Sequence, residues 1–169
     1  MRERVASFAC VTAPTGSGLL AELLTTDRIK VPLVASSKDD VLRELVTLAV
    51  PGADATAIAT ITDAVRERER LLSTGIGGGI AIPHGRTAAV ETLVLAAGVA
   101  RVPVPFDALD GQPVSLFFLL LGPEHVAGAH VKALGRISRL LRHESVRTAL
   151  QQAETPQRFL ERLAGAEAV

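Results

Sequence analysis

The sequence predicts an α/β fold: one three-layer domain in which a mixed β-sheet is flanked by helices on both faces. Three observations carry this. Residues 93–100 and 114–121 are apolar almost throughout and do not alternate, the pattern of strands covered on both sides. Segments with apolar residues at helical spacing lie before and after them, and helices interleaved with a few buried strands define a layered α/β architecture. The chain has 169 residues, enough for one sizeable core, and shows neither an internal repeat nor a linker.

In chain order, residues 1–18 have no clear period and are rich in Thr, Pro, Gly and Ser towards their end. They read as a flexible tail, native or left over from expression, with the domain proper over 19–165. A short apolar segment over 19–24 is helical or turn-like, and 29–34 is a candidate strand. Ser36 or Ser37 then caps a helix to about Ala49, with Asp39 or Asp40 completing a capping box. Pro51-Gly52 ends it. The next helix runs from about Asp54 to Leu72, with Ile58, Ile61, Val65 and Leu72 as its apolar stripe. Arg68 falls on that stripe. An arginine there must find a partner or bear a desolvation cost. It either snorkels to the rim or pairs with a structural carboxylate, or it serves a site.

Gly75-Ile76-Gly77-Gly78-Gly79-Ile80-Ala81-Ile82-Pro83-His84-Gly85 is the unusual stretch. The glycines free the backbone, the run Ile80-Ala81-Ile82 gives a short strand, and Pro83 stops it. His84 is expected at the carboxyl end of that strand, where α/β domains place ligands. Between the two long strands, Asp110-Gly111 marks a turn. A helix over about 127–142 is expected to face inward through Ala127, Val131, Leu134, Ser138 and Leu141. His130 then sits at the edge of that stripe, and Lys132, Arg136 and Arg139 lie on a solvated face. Helices over about 144–153 and from Thr155-Pro156 to about Ala164 complete the chain, with Pro156 in the first turn.

Composition narrows the chemistry. Eighteen basic and eighteen acidic residues give zero formal charge, which argues against a nucleic-acid or anionic-membrane binder. Aromatic residues make up 3% of the chain, too few for base stacking. A single cysteine leaves no intramolecular disulfide and fits a reducing cytoplasm. Mean hydropathy is positive, yet the longest apolar run, 116–121, is too short to span a bilayer. No secretory leader opens the chain, so a soluble cytoplasmic protein is expected.

Several site classes fail on the residues. Gly75-x-Gly77 would need its third glycine at position 80, which is Ile80, and it leads into a strand rather than out of one. No Gly-Lys-Ser/Thr element exists for a nucleotide, and no His-Glu-x-x-His or cysteine pattern for zinc. No Gly-x-Ser-x-Gly elbow exists for a hydrolase. No cofactor and no metal are expected. His84 remains. A lone histidine is more often structural than catalytic, but its place after a proline at a strand end and its glycine neighbours favour a site. A neutral imidazole is a nucleophile. Once phosphorylated it carries about two negative charges and needs arginine or amide donors. Arg68 and His130 lie on faces that can converge on it.

The run from Ser73 to Gly85, together with Phe106-Asp107-Ala108-Leu109-Asp110-Gly111-Gln112-Pro113-Val114 and the helix bearing His130, closely resembles the fructose/mannitol/nitrogen-type enzyme IIA family. These are components of the bacterial phosphoenolpyruvate-dependent phosphotransferase system. The resemblance covers roughly 19–163. It implies an α/β sandwich and a histidine, here His84, that accepts phosphate from the phosphocarrier HPr and passes it on. It places the family's arginine on Arg68, within the Arg68-Glu69 pair, and its second histidine on His130. It also implies attack through Nε2 with Nδ1 held by a partner, Arg68 steadying the phosphoryl oxygens and His130 donating to them. Apolar residues around Gly75 to Gly79 would form the docking surface. Asp107 lies near this region without an assigned role. Three functions follow: a stand-alone nitrogen-regulatory IIA acting on a target protein, a sugar-specific IIA passing phosphate to a separate IIB, or a non-phosphorylated interaction module on the same fold.

Overall fold

The computed structural model describes residues 18–169, so the expected N-terminal tail, apart from Gly18, lies outside the described residues. The elements run α1 (Leu20–Leu23), β1 (Ile29–Lys30), α2 (Lys38–Ala49), α3 (Ala55–Leu71), β2 (Gly75–Gly77), β3 (Ile80–Ala81), β4 (His84–Arg86), β5 (Val94–Val104), β6 (Val114–Gly122), α4 (Ala127–Leu140), α5 (Glu144–Gln151) and α6 (Pro156–Glu167).

The six strands form one mixed sheet in the order β1-β5-β6-β3-β2, with β4 also pairing with β6. β5 and β6 are antiparallel, while β1 joins β5 in parallel and β3 and β4 join β6 in parallel. β6 is central, and its alternation divides the core. Phe117, Leu119 and Leu121 pack with Val41, Leu45 and Val65 of α2 and α3. Leu116, Phe118 and Leu120 pack with Leu20, Ile137, Leu150 and Phe159 of α1, α4, α5 and α6. Both faces are therefore covered, and the sequence shows no alternation because no face of β6 meets water. The three-layer expectation holds.

Local chemistry sets the helix starts. Ser37 accepts from the Asp40 N–H, Asp54 from the Ala57 N–H and Thr155 from the Arg158 N–H, each satisfying an otherwise orphan donor. Three expectations change. The strand expected over 29–34 forms a regular ladder only at Ile29 and Lys30; Pro32 has no N–H to add to it, and beyond the proline a single bond from the Leu33 N–H to the Val99 carbonyl, 2.8 Å, regains β5. Leu72 is 59% exposed, and the buried stripe of α3 is Ile61, Thr62, Val65 and Glu69. In α4 the inward face is His130, Ala133 and Ile137, with Val131 exposed, so His130 stands on the stripe rather than at its edge.

Arg136 is likewise not part of a free solvated face. Its Nε–H donates to the Glu167 carboxylate at 2.9 Å, and the same carboxylate accepts the Leu20 and Ala21 N–H groups at 2.8 and 2.9 Å. The end of α6, which runs past Ala164, thereby caps α1.

Phe117 is fully buried and meets Phe106 edge to face, ring centroids 5.5 Å apart. Phe117→Ala is expected to cost about 3–5 kcal/mol of stability, measured by urea denaturation.

Candidate phosphoryl-acceptor site

His84 is held by the sheet. Ile80 and Ala81 pair with Leu116 and Phe117, and His84, Gly85 and Arg86 pair with Leu120, Leu121 and Gly122. The register is the same on both sides of the gap, so 80–86 follows β6 as one run, flanked by β2 only at its first residues. Pro83 breaks it because it has no N–H to give. Its carbonyl still accepts from the Leu120 N–H. His84 therefore does not sit beyond a strand end, as expected from sequence. It opens the second half of an interrupted strand.

Strand alternation puts Ile80, Ile82 and His84 on the face of α4, and Gly85 on the face of α3. A Cβ on Gly85 would lie 3.3 Å from Val65, so this glycine lets α3 approach. Arg68 then reaches the sheet edge from the α3 layer and His130 from the α4 layer. The Arg68 Nε–H donates to His84 Nε2 at 3.1 Å, and Arg68 Nη1 donates to the Leu72 carbonyl at 3.0 Å. The imidazoles of His84 and His130 meet edge to face with centroids 5.9 Å apart. All three residues singled out from the sequence are thus brought together.

The tautomer follows from the partners. His84 Nδ1 lies 2.9 Å from the Ile82 carbonyl oxygen, which only accepts. Nδ1 therefore carries the proton, and Nε2 presents its lone pair to Arg68. Burial lowers the His84 pKa, the Ile82 carbonyl opposes this, and Arg68 lowers it further. His130 is 3% exposed. Burial pushes it down to about 4, helped by His84 and Arg86. Its Nδ1 has no hydrogen-bond partner and packs on Gly122, where a Cβ would come within 3.2 Å. The site is a pair of neutral imidazoles beside a guanidinium, with His84 Nε2 unprotonated at neutral pH.

The glycine hairpin has another role than the expected one. Gly77, Gly78 and Gly79 all have positive φ and form the tight connection between β2 and β3. The Gly78 N–H donates to Asp110 at 3.1 Å. The Leu116 N–H donates to the Gly79 carbonyl, so the tip sits at the opposite end of β6 from Leu120 and His84. These amides do not face the imidazole. Sequence reasoning also passed over Arg86, which pairs with Glu124 at 2.9 Å beside the two histidines, and named Glu69 only as the partner of Arg68 in the Arg68-Glu69 pair, with no role of its own. Spacing offered a signal for both: Arg86 lies two residues beyond His84 on a strand, and Glu69 one helical turn beyond Val65. Among the described residues no group of three or more His, Cys, Asp or Glu could hold a metal ion.

The site is thus an imidazole fixed at a sheet edge, its Nε2 lone pair facing a guanidinium. The family is specific. Residues 22–165 match the model of the phosphoenolpyruvate-dependent sugar phosphotransferase system, EIIA 2, and the chain belongs to that family, whose members are phosphocarriers in a phosphotransfer cascade. It is 38% identical over 136 residues, 80% of the chain, to the fructose-specific EIIABC component of Bacillus subtilis, of whose length it spans 21%. It is 37% identical over 141 residues, 82% of the chain, to a nitrogen regulatory protein of Bradyrhizobium diazoefficiens, of which it spans 90%. The structure of nitrogen regulatory protein IIA-Ntr from Neisseria meningitidis superposes with a TM-score of 0.78 at 34% identity, over 85% of this chain and 97% of that one. The IIA of the Escherichia coli mannitol complex with phosphorylated IIB shares the fold, with a TM-score of 0.70 at 23% identity over 84% and 97% of the two chains.

The buried neutral His130 has a consequence for stability. Its folded pKa lies below the unfolded 6.5, so between pH 6.5 and about 4 the unfolded state binds the extra proton and stability falls as pH drops. The loss is on the order of 2–3 kcal/mol. Urea denaturation at pH 7 and pH 4.5 is expected to show it in the wild type and to show a shallower decline in His130→Gln.

Proposed function

We propose that the protein accepts a phosphoryl group on His84 Nε2 from phospho-HPr and carries it as phosphohistidine. The observation that supports this best is the hydrogen bond from His84 Nδ1 to the Ile82 carbonyl, which leaves Nε2 as the attacking lone pair. In the transfer the P–N bond of the donor histidine breaks and its electron pair stays on the donor nitrogen, while the bond from His84 Nε2 to phosphorus forms. The Nδ1 proton remains in place and no proton need be exchanged. Arg68 shifts from the lone pair to the phosphoryl oxygens, where a guanidinium is worth most in a water-poor setting. His130 donates to the same oxygens. The chemistry is positioning and charge stabilisation, as in phosphoryl transfer generally.

The docking surface is an apolar crown. Leu71, Leu72, Ile76 and Leu109 are exposed. Leu72 is tied to Arg68 through its carbonyl, and the Leu109 N–H donates to Gly75. The crown is thus broader than the glycine stretch alone. A cytoplasmic carrier fits these features, and no helix among the described residues is long and apolar enough to cross a membrane.

The reading as a nitrogen-regulatory IIA acting on a target protein draws support from the coverage of regulatory relatives along nearly their whole length. A sugar-specific IIA that phosphorylates a separate IIB is the second reading, because identity to the fructose component is as high. Incubation with phosphoenolpyruvate, enzyme I and HPr is expected to give an acid-labile, alkali-stable phosphate that His84→Ala lacks. Equal labelling of that variant would sink the assignment. Arg68→Ala is expected to stay folded and to slow transfer by about a hundredfold, the scale of losing one preorganised donor, measured by rapid quench. Fast transfer onward to fructose- or mannitol-type IIB would favour the sugar reading.

A further inference from the structure

We propose that Glu69 is a positioning residue for His84, acting through a hydrogen-bonded chain that runs Glu69, Thr74, Ile82, His84. Its labelling arm rests on the phosphoacceptor reading above, and its tautomer arm does not.

Glu69 is a carboxylate only 6% exposed. It accepts the Thr74 N–H at 3.0 and 3.1 Å on its two oxygens and the Thr74 hydroxyl at 2.5 Å. Thr74, also buried, is thereby fixed at the entry to β2. Its carbonyl accepts the Ile82 N–H at 3.0 Å, and the Ile82 carbonyl accepts the His84 Nδ1–H at 2.9 Å. Gly79 and Pro83 present their carbonyls to β6, so Ile82 turns its N–H and C=O away from that strand. The Thr74 carbonyl holds the Ile82 N–H and so anchors the residue. The Ile82 carbonyl, in the following Ile82–Pro83 peptide, then accepts from His84 Nδ1 and decides which nitrogen of His84 carries the proton.

A buried carboxylate is costly unless it is paired and fully hydrogen-bonded. Lys38, from the first turn of α2, supplies the counter-charge at 3.0 Å and also reaches Asp107 at 3.2 Å. Its ammonium lies 4.8 Å from the Phe106 ring centroid. The chain of bonds thus links α2 and α3 to the imidazole across the sheet edge. Glu69 touches neither His84 nor any reacting atom. Its neighbour Arg68 does, so the Arg68-Glu69 pair divides the work: one side chain faces the lone pair, the next sets which nitrogen bears it.

The test compares Glu69→Gln, Thr74→Val and Lys38→Met with the wild type. Thr74→Val keeps the backbone bonds and loses only the hydroxyl, and serves if Glu69→Gln does not fold. Nitrogen-15 NMR of the imidazoles at pH 7.5 reads the His84 tautomer without any phosphotransfer. The wild type is expected as the Nδ1–H form, and folded Glu69→Gln as a mixture of tautomers. Single-turnover transfer from phospho-HPr is expected to slow at least about tenfold in Glu69→Gln, with smaller losses in Thr74→Val and Lys38→Met. Folded variants that keep the wild-type nitrogen shifts and transfer rate would overturn the proposal. A wild type in the Nδ1–H form that takes no phosphate from phospho-HPr would leave Glu69 in its role and defeat the phosphoacceptor reading instead.

Discussion

β6 is buried on both faces, with only Ser115 near its start partly exposed. Each of its backbone N–H and C=O groups must find a partner within the sheet. β5 satisfies one side. The other side is satisfied by 80–86, a run carrying a proline at its centre. That requirement fixes the register of the run, and with it the place where the ladder breaks and the imidazole emerges. The helical layers pack on what β6 presents, odd residues to α2 and α3 and even residues to the other four helices. The site is a by-product of feeding a central strand with an imperfect neighbour.

The electrostatics of the site run against the usual pairing of histidine with acid. His84 and His130 are desolvated, and their pKa values move down. Arg68 reinforces this at His84, since a guanidinium beside an imidazole favours its neutral form. The carboxylates nearby are engaged elsewhere, Glu124 with Arg86 and Glu69 with Lys38 and Thr74. The resting site therefore presents an unprotonated imidazole nitrogen and fixed positive charge but little negative charge, a balance that would suit the incoming dianion of the proposed transfer.

Much of this was legible in the sequence because periodicity reports burial. The non-alternating runs located β5 and β6, and Ser37, Asp54 and Thr155 marked helix starts to within a residue. His84, Arg68 and His130 were found by motif and helical phase. The rest depended on pairings that period alone does not encode. The break at Pro83 looks like a strand end until β6 is seen to continue in the same register on both sides. Glycine in 75–85 looked like room for a ligand, yet Gly85 makes room for Val65 and Gly78 serves Asp110. The stripe of α3 drifts by one residue over its length, so Glu69 takes the buried position that spacing had given to Arg68 and Leu72. In α4 the polar His130 displaced Val131 from the core, because its ring packs on Gly122, which has no side chain to resist it.

Arg68 and His130 come from opposite layers of the sandwich and meet only around the edge of the sheet. No contiguous piece of chain holds the trio, and neither half of the sandwich can assemble it alone. The acceptor constellation therefore exists only once both layers have docked on the same strand. A nascent or partly melted chain displays a histidine but not the guanidinium and second imidazole that flank it in the folded molecule. On the proposed reading, the capacity to take up phosphate would be a certificate of tertiary integrity, open only to a completely assembled molecule.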